Sequence, residues 1–184
     1  MGQLPISLGL SRQKLGAKKT KSGARTSGSV SGGQADPLLT KEMKQKIHTR
    51  DDHVCQCCGF KSKKYQDIHF LNGDENDLSE DNLKTICIFC HQCFNLDKVS
   101  VMRSGVLLWL PEIKQADLHH IARAVYVARI SQGPIADAAR KALDGLMQRR
   151  EAVRTRIGTD DPYILATVLK DYLTESHYNN RCLL

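Results

Sequence analysis

Seven cysteines are the residues with the most chemistry to offer, and four of them are paired at metal-ligating spacing. Cys55-x-x-Cys58 and Cys87-x-x-Cys90 form two thiol pairs with 28 residues between them. Two residues between cysteines let both sulfurs turn toward one point, and two such knuckles close a tetrahedron around one Zn²⁺. Gly59, directly after the first pair, permits the positive φ that a tight knuckle favours. Neighbouring groups leave alternatives open: Cys57 could replace a member of the first pair, Cys93 forms a further CxxC with Cys90, and Cys93 or His91 could take the place of Cys90. A redox role would need a CxxC that follows a strand and opens a helix within a βαβ pattern, and the sequence has none. Four thiolates fill a zinc ion and leave no position for water, so the expectation is one structural Zn²⁺ that acts through folding.

The elements that must position these sulfurs can be read coarsely. Thr40 suits an N-cap, and Leu39, Met43 and Ile47 fall along one side of a helix to about Thr49. Gln66–Leu71 is a short strand candidate, and residues 73–77 have a turn-forming composition. Cys87 to about Lys98 lacks Gly and Pro and reads as one helix that starts inside the second pair. Val106–Leu110 is fully apolar, follows the Ser104-Gly105 turn and stops at Pro111, which predicts a strand. Beyond it the pattern becomes helical. A helix over about Gln115–Ser131 places Leu118, Ile121, Ala122, Val125, Ala128 and Arg129 on one side. Gly133-Pro134 opens a second helix toward Arg156, and Asp161-Pro162 opens a third that reaches about Glu175.

Composition sets the frame around these elements. At 41% hydrophobic and 26% charged, with only 5% aromatic residues, the chain can bury one modest core filled by aliphatic side chains. No run of about 18 apolar residues is present, and the N-terminus lacks a secretory apolar stretch, so a cytosolic, reducing location is expected. Of the net charge of +7, residues 1–36 carry +5, from Arg12, Lys14, Lys18, Lys19, Lys21 and Arg25 against Asp36. That stretch is rich in Gly and Ser, and a basic, disordered tail over residues 1–38 is expected, with nucleic acid or an acidic surface as possible contacts. Arg149, Arg150, Arg154 and Arg156 add positive charge on the second downstream helix, most simply as a solvated face.

The stretch from Arg50 to Cys93 resembles the HNH endonuclease family, whose ββα-metal unit often sits within a CxxC…CxxC zinc frame. The matching pieces are Asp51-x-x-x-Cys55-x-x-Cys58-Gly59, then Ile68-His69-Phe70, then Asn82-Leu83-x-x-Ile86-Cys87-x-x-Cys90-His91. In active members the strand carries Asp-His or His-His, one residue binding a divalent ion and the next acting as general base. Here His69 stands alone, with Ile68 or Phe70 in the other position according to register, and alternation along a strand sets Asp67 on the opposite side from Ile68. Asn82 and His91 match the remaining polar positions. Phosphodiester hydrolysis needs both an activated water and a metal. The resemblance therefore implies an α+β chain with a small HNH-like ββα core of treble-clef type, a degenerate site at His69, Asn82 and His91, and no catalytic residue.

A wider resemblance covers most of residues 45–175. Cys87-Ile-Phe-Cys-His-Gln-Cys-Phe, Ser104-Gly-Val-Leu-Leu-Trp-Leu-Pro-Glu-Ile and Ala124-Val-Tyr-Val-Ala-Arg look like the IcmJ/DotN family of Dot/Icm (type IVB) secretion systems and related conjugation systems. It implies a zinc-binding adaptor rather than an enzyme, held at the cytoplasmic face of the inner membrane by the C-terminal extension of the coupling ATPase and other subunits of that complex. The expected organisation is a basic tail (1–38), a zinc core (39–103) and a strand-plus-helix module (104–184). The competing reading is a metal-dependent nuclease or nucleic-acid binder, with His69, Asn82 and His91 around a divalent ion and the basic tail on phosphates.

Overall fold

The computed structural model describes residues 3–10 and 39–173. Helix α1 (Lys41–Arg50) starts where Thr40 caps it, the hydroxyl accepting the Met43 amide at 3.2 Å. Asp52 and His53 then take positive φ of 52° and 54°, which turns the chain sharply into the first cysteine pair. Strands β1 (Gln66–Phe70) and β2 (Leu83–Cys87) form an antiparallel hairpin whose register runs from Gln66 opposite Cys87 to Phe70 opposite Leu83. Ile68 and Phe70 point to one side of β1, where with Leu83 they bury against Ile47 of α1 and Leu39. Arg50 ties the end of α1 to this hairpin by donating to the main-chain oxygens of Glu80 and Leu83, at 2.5 and 2.7 Å.

After β2 the chain enters helix α2 (Ile88–Cys93) and then a separate α3 (Leu96–Met102). The single helix expected from Cys87 to Lys98 is therefore broken at Phe94-Asn95. Asn95 donates its side-chain amide to the His91 carbonyl at 2.7 Å, and the Gly9 amide donates to the Cys93 carbonyl at 2.8 Å, so both acceptors are spent outside a continuous helix. Gly9 belongs to a segment that composition had grouped with the basic tail. Residues 3–10 instead lie across the cysteine knuckles: the Leu4 amide donates to the Gln56 carbonyl at 2.8 Å, and Ile6 is only 4% exposed. Leu4, Ile6, Leu8 and Leu10 give this short stretch the apolar surface that the following Gly/Ser-rich residues lack. The expected basic stretch from Arg12 to Asp36 and Cys182 lie outside the described residues.

The second half is helical: α4 (Gln115–Arg129), α5 (Pro134–Gln148), α6 (Arg150–Ile157) and α7 (Pro162–Asp171). Gly133 at φ 78° with Pro134 at the first helical turn opens α5, and Asp161 caps α7 by accepting the Tyr163 amide at 2.8 Å. α4 packs against α5, and α7 packs back on α3. Two expectations change here. Val106–Leu110 is not a strand: its amides bond where helices meet, Leu107 to the Asp160 carbonyl between α6 and α7 at 3.0 Å and Trp109 to the Arg149 carbonyl between α5 and α6 at 3.4 Å. The helix expected to continue from Pro134 to Arg156 breaks at Arg149, whose carbonyl receives that Trp109 bond. No helix among the described residues is long and apolar enough to cross a membrane.

Candidate metal centre

The two cysteine pairs meet. Sγ of Cys55, Cys58, Cys87 and Cys90 lie within 4.8 Å of one another, and all four residues are buried. The first pair sits in a knuckle closed by the Cys55 amide on the Phe60 carbonyl and the Gly59 amide on the Cys55 carbonyl, both at 2.9 Å. Gly59 has φ 74°, as the spacing required, and a Cβ there would lie 3.1 Å from the Gln3 side chain. Cys87 is the last residue of β2 and Cys90 lies in the first turn of α2, so the strand-to-helix junction delivers the second pair. Cys57 is buried beside them, and Cys93 faces away toward α4.

The donor set fits a thiophilic cation. Four buried sulfurs this close cannot all ionise unaided. The S–H of Cys57, then those of Cys58, Cys87 and Cys90, hold the Cys55 thiol far below its ordinary range, while hydrogen bonding to Cys55, ahead of the other sulfurs and burial, pushes Cys90 well up. A divalent cation replaces this sharing of protons by stabilising all four as thiolates. Among the described residues this is the group of His, Cys, Asp or Glu whose ligand atoms converge.

Helix α4 supplies the surroundings. Arg123 donates Nη2 to Cys87 Sγ at 2.6 Å and to Cys58 Sγ at 3.7 Å, with its guanidinium carbon 4.2 Å from the Phe60 ring centroid and 4.8 Å from that of Phe89. Its Nη1 is buried without a hydrogen-bond partner, and a guanidinium so placed requires an anionic neighbour, which thiolates provide and thiols do not. His119, 6% exposed, has Nδ1 3.3 Å from Cys90 Sγ, and His120 Nε2 donates to the Cys58 carbonyl at 2.7 Å. These residues were not singled out from the sequence. The apolar stripe through Leu118, Ala122 and Val125 drew the reading of this helix, yet Gln115, His119 and Arg123 recur every fourth residue and mark a polar stripe beside it.

Each of the three HNH-like positions is engaged by other residues. His69 stacks on Phe94 with ring centroids 4.4 Å apart, and burial, reinforced by the His91 charge, lowers its pKa to about 4. His91 pairs through Nδ1 with Asp67 Oδ2 at 3.3 Å; burial alone would raise the Asp67 pKa, but His91 and Lys44 outweigh it and hold the carboxyl low. Asp67 thus shares the His69 side of β1, opposite Ile68, as strand alternation required. Asn82 is buried in the loop after β1, where it accepts the Asn72 amide at 2.9 Å and donates to the Asp77 carbonyl at 2.8 Å. Arg149 and the arginines of α6 do not form a free basic face. Arg149 pairs with Glu112 at 3.0 Å, Arg150 and Arg154 both bond Asp160, and Arg156 lies over Trp109 at 4.5 Å from the ring centroid.

No protein-family model matches the chain. The Type 4 apparatus protein DotN of Legionella pneumophila subsp. pneumophila (strain Philadelphia 1) is 35% identical to it over 135 residues, 71% of this chain and 63% of that protein's length. The chain thus spans somewhat less than two thirds of that relative. On this likeness the chain belongs to the DotN (IcmJ) family of Dot/Icm type IV secretion.

Proposed function

We propose that this chain is a zinc-stabilised, non-catalytic adaptor subunit of a type IVB secretion or conjugation coupling complex. Cys55, Cys58, Cys87 and Cys90 bind one structural Zn²⁺, and the protein docks the C-terminal extension of the coupling ATPase at the cytoplasmic face of the inner membrane. The observation that carries this reading is the convergence of four buried sulfurs in a chain akin to a type 4 apparatus protein. A filled four-thiolate site acts on stability, since it offers no open coordination position. The order β1–β2–α2, with the second cysteine pair at the strand-to-helix junction, supports an HNH-like core of treble-clef type over 39–103, followed by the helical module.

Three contacts support the absence of nuclease chemistry. Phe94 covers one face of His69, His91 is engaged by Asp67, and Asn82 is spent on holding the Asn72–Asp77 loop. With Arg149 and the three arginines of α6 engaged as well, little supports nucleic acid as the partner. The deciding experiment combines titration of the purified full chain with the C-terminal extension of its cognate coupling ATPase and a plasmid cleavage assay with Mg²⁺, Mn²⁺ or Ni²⁺. Stoichiometric binding without cleavage is expected. Cleavage that disappears in His69→Ala, with no binding of the extension, would replace the adaptor reading with a nuclease.

A further inference from the structure

The zinc ligands all come from the knuckles and the α2 start, yet the Arg and His side chains that reach their sulfurs come from α4. We propose that Arg123 and His119 complete the metal centre, and that α4 is seated by the charge of the metal–thiolate group. The seating of the helical module thereby depends on metal occupancy. This rests on the structural-zinc reading above and extends it to residues of the second half.

Charge is the first part of the case. Four thiolates around a divalent cation carry −2, and burying that charge needs compensation. Arginine is a permanent cation, and its guanidinium here lies between Phe60 and Phe89, with Nη2 on Cys87 and Cys58 and Nη1 buried without a partner. Against neutral thiols this would be an uncompensated buried cation. Against metal-bound thiolates it is half of the neutralising charge, strengthened by charge-assisted N–H to sulfur bonds.

Proton placement is the second part. Gln115 lies 2.8 Å from His119 Nε2 through its amide nitrogen, which can only donate. Nε2 is therefore the acceptor, the imidazole proton sits on Nδ1, and it points to Cys90 Sγ 3.3 Å away. Cys93 fits the same assignment: burial pushes its thiol up to about 12, and as an S–H it stands 3.6 Å from Nε2. His120 adds a bond to the Cys58 carbonyl. Within one turn and a little more, α4 thus reaches Cys90, Cys58 and Cys87, and outer partners of this kind typically change metal affinity by about 10–100-fold.

A consequence follows for the surface between the two halves. A cavity of about 440 Å³ is lined by Phe89 and Cys93 of α2, Val99 of α3, His119 and Val125 of α4 and Leu143 of α5, among others. Its lining includes α2, α3 and α4, so part of its shape follows the contacts that hold α4 on the metal centre.

The test uses the full chain purified with zinc, as wild type, Arg123→Met and Arg123→Lys. Zinc release to a chromogenic chelator and amide exchange across residues 115–129 are measured together. Arg123→Met is expected to bind one zinc, release it about tenfold faster, and lose protection in 115–129 while the β1–β2 amides stay protected; Arg123→Lys should recover part of both. In wild type, chelation should lower protection in 115–129 along with the knuckles, a readout that needs no variant to fold. Zinc-bound Arg123→Met with wild-type release and protection, or wild-type α4 keeping its protection after zinc is stripped, would overturn the proposal and leave structural zinc in place. A wild-type chain that never binds zinc would overturn both.

Discussion

Gly9 and Cys93 are joined main chain to main chain: the Gly9 amide donates to the Cys93 carbonyl at 2.8 Å, and the Gly9 carbonyl accepts the Leu96 amide at 2.9 Å. The N-terminal segment thus occupies the gap between α2 and α3, with Ile6 sealed into the cysteine cluster. Shortening that side chain leaves a void beside the sulfurs. Ile6→Ala should cost about 2 kcal/mol or more in urea unfolding of the zinc-bound chain and speed zinc release, whereas a neutral result would mean the segment only rests on the surface.

Asn82 joins the two ends of the loop that follows β1, and its side chain is buried with both polar groups used. Asn82→Ala leaves the Asn72 amide and the Asp77 carbonyl to find other partners. A loss of about 1–3 kcal/mol is expected, together with faster exchange over residues 72–79 and unchanged zinc content. Loss of zinc in this variant would place Asn82 closer to the metal centre than its bonds indicate.

His69 makes stability depend on acid. Its pKa falls from 6.5 to about 4 in the fold, first through burial and then through His91. Between those values the unfolded chain binds more protons, so this contribution is complete above pH 6.5 and is lost as pH falls toward 4, by about 3 kcal/mol at most. His69→Phe should retain the stack on Phe94 and flatten the stability profile in that window. An unchanged slope would locate the acid sensitivity elsewhere, with the thiolates as the leading source.

The parts of the fold governed by local chemistry were legible from the sequence. Thr40 caps α1, Gly59 takes positive φ, Gly133-Pro134 opens α5 and Asp161-Pro162 opens α7, because capping and turn chemistry depend on neighbours in the chain. Each CxxC pair was legible for the same reason, as two residues of spacing aim its sulfurs locally. What escaped depends on distant partners. The Val106–Leu110 segment has the composition of a strand but bonds where helices meet, and the break at Phe94-Asn95 is made by Gly9, far away in sequence. His119 and Arg123 were hidden because polar residues on a helix normally face water, and only the position of the sulfurs reveals why they face inward.

The four-thiolate zinc site is tested by the metal content of the full chain in native mass spectrometry, alongside Cys55→Ser and Cys87→Ser. One zinc per chain is predicted for wild type, with none retained in either variant and a loss of cooperative unfolding when wild type is stripped by chelator. A metal-free wild-type chain that unfolds cooperatively, or a Cys87→Ser chain that keeps its zinc, would contradict it.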